Sequence, residues 1–377
     1  MTSSTTYEPI GLSAPYTDEA EEEAVLEVLR SGRLAFGPMI ERFEREFAER
    51  VGAPYVATVS SGTAGLHLCV KLAEISPGDE VVTSPLSFIA SANAIIYEGG
   101  VPVFVDVDER TLNLDPAAVE AAITPRTKAL LLVDLFGYPV DFDAFHEIAQ
   151  RHGLAIVEDA CEALGATYRG RPVGSFGHPA VFAFYPNKQI TTGEGGAVAL
   201  GTEEEWELVK SLANHGRTDR GETFSHERIG YNYRLDELSA ALGVAQLGKL
   251  DQILPLRDQV AARYDELLAD VEGVSLLCAD DDVYKRSWFV YVVLVDPRVE
   301  RSAVIERLAA EGIASKPYLP AIHLQRAYAE RFGFTPGVFP VAEAAGAQGL
   351  ALPFHTGLSS SDQERVADAL ARALATA

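Results

Sequence analysis

The chain has 377 residues, of which 47% are hydrophobic and 23% are charged. This length exceeds one small domain and allows a sizeable buried core. The net charge of −24 repels nucleic acid and anionic membranes, so neither is expected as a partner.

The cysteines and the N-terminus predict a cytoplasmic protein. Cys69, Cys161 and Cys278 are scattered, with neither a CxxC pair nor a metal-ligand spacing, which is typical of a reducing compartment and predicts no metal site. The first residues have no basic segment followed by an apolar one, so no signal peptide is expected. No apolar stretch approaches membrane-spanning length.

The first predicted elements are a polar arm and two helices. Residues 1–15 have little reason to fold alone. A helix opens at Thr17-Asp18-Glu19, where acidic residues suit the first turn, and Gly32 closes it. A second, amphipathic helix follows Gly37-Pro38.

A strand over 53–59 then leads into Ser60-Ser61-Gly62-Thr63-Ala64 and a helix. Such a turn leaves backbone N–H groups free at the positive end of the helix dipole, where a phosphate can bind. Ser61 could equally be a simple helix cap. The pattern alone leaves both interpretations open.

Strands and helices alternate over the next part of the chain, which predicts a mainly parallel sheet with helices on both faces. Phe88, in the turn before one of these helices, could stack on a flat ring or belong to the core. The predicted strands are 80–84, 101–105 and 129–133, and the predicted helices are 89–97, 116–122 and 141–152.

The stretch 155–200 organises the remainder. One apolar run ends on Glu158-Asp159, and a second run, 180–184, is followed by a turn that delivers Lys188. A Gly-rich segment, 193–196, leads into a third run. Because pockets in open α/β sheets lie where strands end, Asp159 and Lys188 are predicted to face one pocket.

Alone, each residue is ordinary, since a lysine in a turn is usually a surface charge and an aspartate after a strand usually caps a helix. Together they suit pyridoxal phosphate. A partly buried lysine can form a Schiff base with an aldehyde. A carboxylate keeps a pyridine nitrogen protonated, so that the ring withdraws electrons.

The C-terminal third changes pattern and predicts a smaller α+β domain. Helices are predicted over 203–213, 236–250 and 253–268, then strands near 275–277 and 288–295, a helix over 302–312 and a last helix from about Ser361. We therefore expect an arm (1–15), a large cofactor-binding domain (16–252) and a small C-terminal domain (253–377).

The residues around Asp159 and Lys188 resemble those of DegT/StrS-type sugar aminotransferases, and the resemblance runs from about Glu22 to near the C-terminus. It implies the aspartate-aminotransferase fold, fold type I of pyridoxal phosphate enzymes. It also makes Lys188 the Schiff-base lysine and Asp159 the partner of the ring nitrogen. Related dehydratases carry histidine in place of the lysine, so Lys188 favours transamination.

The same resemblance assigns a cofactor shell. Gly62, Thr63 and Ala64 match the cofactor-phosphate turn, and Phe88 matches the residue that stacks on the ring. Glu162 departs from the glutamine or histidine usual near the phenolic oxygen of the cofactor. Ala183 departs from a serine that binds the phosphate, which leaves more of that task to the turn.

Residues 230–234, GYNYR, match a segment that enters the site of the neighbouring subunit. The resemblance thus implies a homodimer with shared sites, in which Asn232 binds cofactor. An interior turn is the alternative for this segment. Arg217 and His323 are the predicted substrate-side residues. His323 lies in a PxHLQ-like loop, where a lone histidine is also commonly a capping or surface residue.

The sequence therefore predicts an aminotransferase that moves an amine from an amino acid, expected to be glutamate, to a keto-sugar, expected to be nucleotide-linked. The product would serve amino-sugar, polysaccharide or antibiotic-sugar biosynthesis. A pyridoxal phosphate-dependent sugar dehydratase or lyase and a non-catalytic regulatory relative are the alternatives. Retention of both Asp159 and Lys188 argues against the regulatory relative, because an idle pocket does not need that pair.

Overall fold

A computed structural model describes residues 8–218 and 225–375 of the chain. The strands, numbered in chain order, are β1 Tyr55–Val59, β2 Glu80–Thr83, β3 Val101–Phe104, β4 Thr127–Val133, β5 Ala155–Asp159, β6 Thr167–Tyr168, β7 Arg171–Pro172, β8 Ala180–Ala183, β9 Gly196–Leu200, β10 Val274–Ser275, β11 Tyr284–Lys285, β12 Tyr291–Val295, β13 Lys316–Pro317 and β14 Gly349–Leu352.

Every predicted helix is present and begins and ends close to the predicted residues, but the helices Arg326–Phe332 and Pro340–Gln348 were not predicted. Asp18 and Glu21 form a capping box at the first helix, and Gly32 ends it with a φ of 70°, as glycine readily does. The helices are α1 Glu19–Ser31, α2 Pro38–Val51, α3 Gly62–Leu72, α4 Ala90–Tyr97, α5 Pro116–Ala122, α6 Phe142–His152, α7 Glu203–Ala213, α8 Glu237–Leu247, α9 Leu250–Leu268, α10 Arg301–Ala310, α11 Arg326–Phe332, α12 Pro340–Gln348 and α13 Ser360–Ala375.

The main sheet has seven strands in the order β1-β9-β8-β5-β4-β2-β3. The five strands from β3 to β8 run parallel. β9 is antiparallel to both of its neighbours. The prediction of an α/β fold around a mainly parallel, mixed sheet is confirmed.

Helices cover both faces of this sheet, so its strands are buried almost completely. Successive side chains of β8 point to opposite faces of the sheet, so Val181 and Phe182 belong to different core clusters. Phe182 packs edge-on against Phe47 of α2, with ring centroids 5.1 Å apart. Two-sided burial explains why the strands appear in the sequence as short continuous apolar runs.

A second sheet, of strands β10-β12-β14-β13, is antiparallel throughout. With α9, α10 and α13 it encloses a separate core, as expected for a smaller α+β unit. A third, small sheet has the order β11-β6-β7.

The boundaries proposed for the domains stay predictions. Helix α9 spans the junction at 252 and 253. Ile10 pairs with Ile313, so the described part of the arm packs on the second unit. Residues 1–7 lie outside the described residues. Within 8–218 and 225–375, no helix is long and apolar enough to cross a membrane.

Candidate active site

The edge of the main sheet brings Asp159 and the Lys188 turn to the same place. Asp159 is the last residue of β5 and is paired in register with Val181 of the parallel neighbour β8. The chain leaves β8 through a turn in which the Lys188 N–H donates to the Tyr185 carbonyl at 2.9 Å. Because both strands run in the same direction, both polar residues emerge at one edge.

Lys188 lies in a mostly enclosed position, with a side chain 13% exposed. Its Nζ is 3.8 Å from Glu162 Oε1 and 4.1 Å from the centroid of the Phe289 ring. Its backbone carbonyl accepts a 2.8 Å hydrogen bond from Arg257 Nη2. The ammonium group therefore has one carboxylate and one aromatic face as neighbours, while the backbone below it is anchored.

Arg257 connects this turn to the segment leading into the second unit. Its Nη1 donates to the Phe289 carbonyl at 3.2 Å. The side chain is buried, and burial lowers the pKa of the Arg257 guanidinium to about 10. The hydrogen bonds from Arg257 to backbone carbonyl oxygens explain how this cation is tolerated inside the protein.

Glu162, predicted as a cofactor-shell residue, does lie beside Lys188. Oε2 accepts a 2.8 Å bond from the Phe136 N–H, and Gln189 Nε2 donates to the Glu162 carbonyl at 2.7 Å. Burial raises the pKa of the Glu162 carboxyl, and the charge of Lys188 opposes that shift. One carboxyl oxygen is thus anchored while the other faces the lysine.

Asp159 is 5% exposed, and both of its carboxyl oxygens accept hydrogen bonds. Ser91 Oγ donates to Oδ2 at 2.6 Å, and the Cys161 N–H donates to Oδ1 at 3.2 Å. No lysine, arginine or histidine of the described residues forms an ion pair with it. A buried carboxylate without a cation is costly, and a protonated pyridine nitrogen would supply one. The residues present therefore fit pyridoxal phosphate.

Cys161 is a packing residue in this arrangement. Burial, together with the charge of Asp159, raises the pKa of its thiol well above the usual range. A thiol that stays protonated is a poor nucleophile. Its sulfur instead lies against the start of α3.

The Gly62–Ala64 turn is packed against this strand edge. A Cβ at Gly62 would lie 2.8 Å from Ala183 Cβ and 2.9 Å from Cys161 Sγ, so the position requires glycine. Ser61 Oγ accepts the Ala64 N–H at 3.1 Å, which confirms the cap. The first amides of a helix have no acceptor within it, so the cap leaves donors for a phosphate.

Two further predicted residues lie at the surface. Phe88 is 60% exposed and shares a turn with Ser91, whose N–H donates to the Phe88 carbonyl. Asn232 is exposed between Tyr231 and Tyr233, whose rings are stacked 4.9 Å apart. The Ser60 N–H donates to the Tyr233 carbonyl at 2.7 Å, which holds this segment beside the α3 turn of its own chain.

Arg217 and His323 are the two residues predicted to contact the substrate. Arg217 is half-buried and pairs through its backbone with His226. His323 is fully buried, with Nε2 3.0 Å from Glu343 Oε1 and its ring packed edge-on against Phe339. The substrate roles of Arg217 and His323 stay predictions.

Sequence reasoning missed several residues that enclose the site. Ser91 contacts Asp159, Phe136 and Gln189 hold Glu162, and Phe289 lies under Lys188. Tyr318 packs against Phe136 and Phe289, with ring centroids 5.8 and 6.2 Å away. The contacts of Ser91, Phe136 and Gln189 join residues at least 26 positions apart in the sequence, so no local pattern marked them.

The main sheet and the groups at its edge are those of a pyridoxal phosphate-dependent aminotransferase. More narrowly, the chain belongs to the DegT/DnrJ/EryC1/StrS aminotransferase family, which it matches over residues 15–371.

Individual relatives match over nearly their full lengths. The dTDP-3-amino-3,4,6-trideoxy-alpha-D-glucose transaminase of Streptomyces venezuelae is 40% identical over 367 residues, 96% of this chain and 94% of that protein. GDP-perosamine synthase of Caulobacter vibrioides is 38% identical over 368 residues, 97% of this chain and 98% of that protein. Spr1654 of Streptococcus pneumoniae, solved in a PLP form, superposes with a TM-score of 0.93 at 28% identity, covering 98% of this chain and 99% of that one.

Proposed function

We propose that this aminotransferase moves an amino group from an amino acid, glutamate, to the keto group of a nucleotide-linked sugar. The reaction would serve the biosynthesis of amino sugars for polysaccharides or antibiotics. Two relatives named for nucleotide-sugar products, one GDP-linked and one dTDP-linked, support this substrate class. We place the reaction in the cytoplasm, since all three cysteines are free thiols, as is typical of a reducing compartment.

The observation that carries the proposal is the paired geometry of Asp159 and Lys188. They emerge from neighbouring parallel strands, and the carboxylate lacks a cationic partner among the described residues. When bound, pyridoxal phosphate supplies an aldehyde that takes up the amino group and a protonated ring that withdraws electrons. Asp159 would keep the ring nitrogen protonated.

Lys188 would hold the cofactor covalently and then act through its free Nζ. In that role Nζ would take a proton from the α-carbon of the amino donor and deliver it to the cofactor carbon that carried the aldehyde. Glu162 and Phe289 fix the position of Nζ from two directions. Because donor and acceptor use one site in turn, ping-pong kinetics are expected.

The cofactor phosphate would be bound at the Gly62–Ala64 turn by the amides of Gly62 and Thr63, because the Ala64 N–H already donates to Ser61 Oγ. Ala183 offers no hydroxyl at the neighbouring position, so the amides and the helix dipole would carry most of this binding. Phe88, exposed above the strand edge, would stack on the ring.

A second copy of the chain would complete the site. Asn232 is exposed on the 230–234 segment, and Arg234 of that segment lies over Phe36, which is itself 55% exposed. Leu34, two residues before Phe36 in the sequence, is also exposed. Large exposed apolar side chains around a polar group are typical of interfaces, and two-fold dimers are the commonest oligomers.

Two experiments test the proposal. Borohydride reduction of the holoenzyme should attach the cofactor irreversibly to the peptide that carries Lys188, and Lys188→Ala should remove both the label and turnover. Label on another residue, such as Lys210, would rule out the assignment. A panel of GDP- and dTDP-linked keto-sugars with glutamate should yield 2-oxoglutarate. Release of a deoxygenated sugar without 2-oxoglutarate would instead identify a dehydratase.

A further inference from the structure

The Asp159 carboxylate accepts a hydrogen bond from a serine, Ser91, that lies outside the predicted site residues. Ser91 is fully buried, and its Oγ lies 2.6 Å from Asp159 Oδ2. Hydroxyl-to-carboxylate bonds of 2.5–2.7 Å are charge-assisted and about twice as strong as neutral ones. A bond of this length suits a carboxylate that accepts the serine proton.

A second buried serine lies behind the first. Ser87 Oγ is 2.8 Å from Ser91 Oγ. Ser91 has a single hydroxyl proton and two acceptors, Asp159 Oδ2 and the Phe88 carbonyl at 3.1 Å. The charged and closer acceptor takes that proton, so Ser87 must be the donor in the bond between the serines. The proton order runs one way, from Ser87 through Ser91 to Asp159.

The surrounding backbone strengthens the same orientation. Ser91 lies in the first turn of α4, so the positive end of that helix dipole faces the carboxylate. The Cys161 N–H fixes the other carboxyl oxygen. The carboxyl group thus cannot rotate without losing a bond on each oxygen.

We propose that Ser91, supported by Ser87, is a positioning residue of the active site that keeps Asp159 ionised and aimed at the cofactor ring nitrogen. The inference rests on the role proposed above for Asp159. A hydrogen bond to the charged form of an acid favours that form. Without it, the ring-nitrogen proton shifts toward the carboxylate and the ring withdraws electrons less strongly.

The test compares Ser91→Ala with Ser91→Thr, which keeps the hydroxyl. Ser84→Ala is the matched control, because Ser84 is buried in the preceding turn but bonds only to the backbone of Leu86. Each holoenzyme is loaded with pyridoxal phosphate labelled with ¹⁵N in the ring. The ¹⁵N chemical shift then reports protonation of the ring nitrogen independently of turnover.

Ser91→Ala is expected to move the ¹⁵N signal toward the unprotonated value and to lower kcat by about tenfold to a hundredfold, the loss of one bond to a charged group. KM for the amino donor should change less than about twofold, since the reaction step and not binding is affected. Ser91→Thr should recover most of both effects, and Ser84→Ala should match the wild type.

Asp159→Asn separates this inference from the proposed function. If that variant leaves the ¹⁵N signal in place, the role of Asp159 itself is wrong. If it moves the signal while Ser91→Ala does not, only the positioning role is overturned. Should Ser91→Ala fail to fold, Ser87→Ala decides: a smaller shift in the same direction supports the relay, and a wild-type signal refutes it.

Discussion

Replacing Glu158 by glutamine should make the protein more stable at alkaline pH. Glu158 is fully buried on β5, where Oε1 accepts the Gly174 N–H at 3.0 Å and Oε2 is 2.7 Å from His178 Nε2. Asp134, also fully buried, lies beside it. Two carboxyl groups in a dry interior cannot both ionise cheaply.

The direction and size of the effect follow from the pKa. Burial raises the pKa of Glu158 from its ordinary 4.5 to about 8, so between those pH values the folded chain keeps a proton that the unfolded chain loses. Stability therefore falls as pH rises through this window and levels off above it. The loss is on the order of 5 kcal/mol in total, and most of it falls between pH 5 and 8.

Neighbouring groups do not reverse this sign. The pKa of Asp134 is also raised well above its usual range, mainly by burial and then by Glu158, which adds to the loss. Burial lowers the pKa of His178 from 6.5 to about 4, so this group alone makes stability rise with pH up to about 6.5. The variant and the wild type share this contribution, so it largely cancels in their difference. Burial also lowers the pKa of His146, which contacts His178 at 3.1 Å.

The measurement is urea unfolding at fixed protein concentration, since the dimer proposed above would make stability concentration-dependent. The difference in unfolding free energy between Glu158→Gln and the wild type should shift in favour of the variant by roughly 3–4 kcal/mol from pH 5 to pH 8. Glu147→Gln, exposed on α6, controls for the loss of one carboxylate. A constant difference across this range would refute the buried-acid argument.

Three further outcomes are expected. Asp159→Asn should bind cofactor yet slow transamination by orders of magnitude, and a change under about tenfold, or 1.4 kcal/mol, would move the electrostatic role elsewhere. Asn232→Asp and Lys188→Ala, refolded together, should recover roughly a quarter of wild-type activity, because half the dimers are mixed and each has one intact site. A mixture no more active than the average of its parents would leave Asn232 serving its own chain or none. Gly62→Ala should lose about 1–3 kcal/mol of stability by overpacking and weaken cofactor binding, whereas Gly11→Ala, with nothing within 4 Å, should do neither. Unchanged urea midpoints would show that Ala183 gives way.

The sequence predicted elements whose signal is local. The helix from Asp18 to Gly32 has a cap at each end, and β5 and β8 are apolar runs buried on two sides. Strand β14, central in the second sheet, was missed because its four residues follow an alanine- and glycine-rich helix without an intervening turn signal. Strands β6, β7 and β11 have two residues each and are defined only by their pairing with one another.

The candidate site likewise contains residues that the sequence marks and residues that it does not. Asp159 and Lys188 stand at strand ends, which sequence can place. Ser91 stands one residue into a helix, where a serine ordinarily has no distant partner. Its bond to Asp159 joins residues 68 positions apart, so it arises only from the packing of α4 onto the sheet.

Arg257 has a mechanical consequence. The guanidinium group of Arg257, on helix α9, donates hydrogen bonds to the carbonyls of Lys188 and Phe289. Helix α9 also contributes to the core of the second unit. Any rotation of that unit about the main sheet must either break these bonds or carry the lysine backbone along. The position of Lys188 Nζ at the strand edge is thus coupled to the angle between the two units.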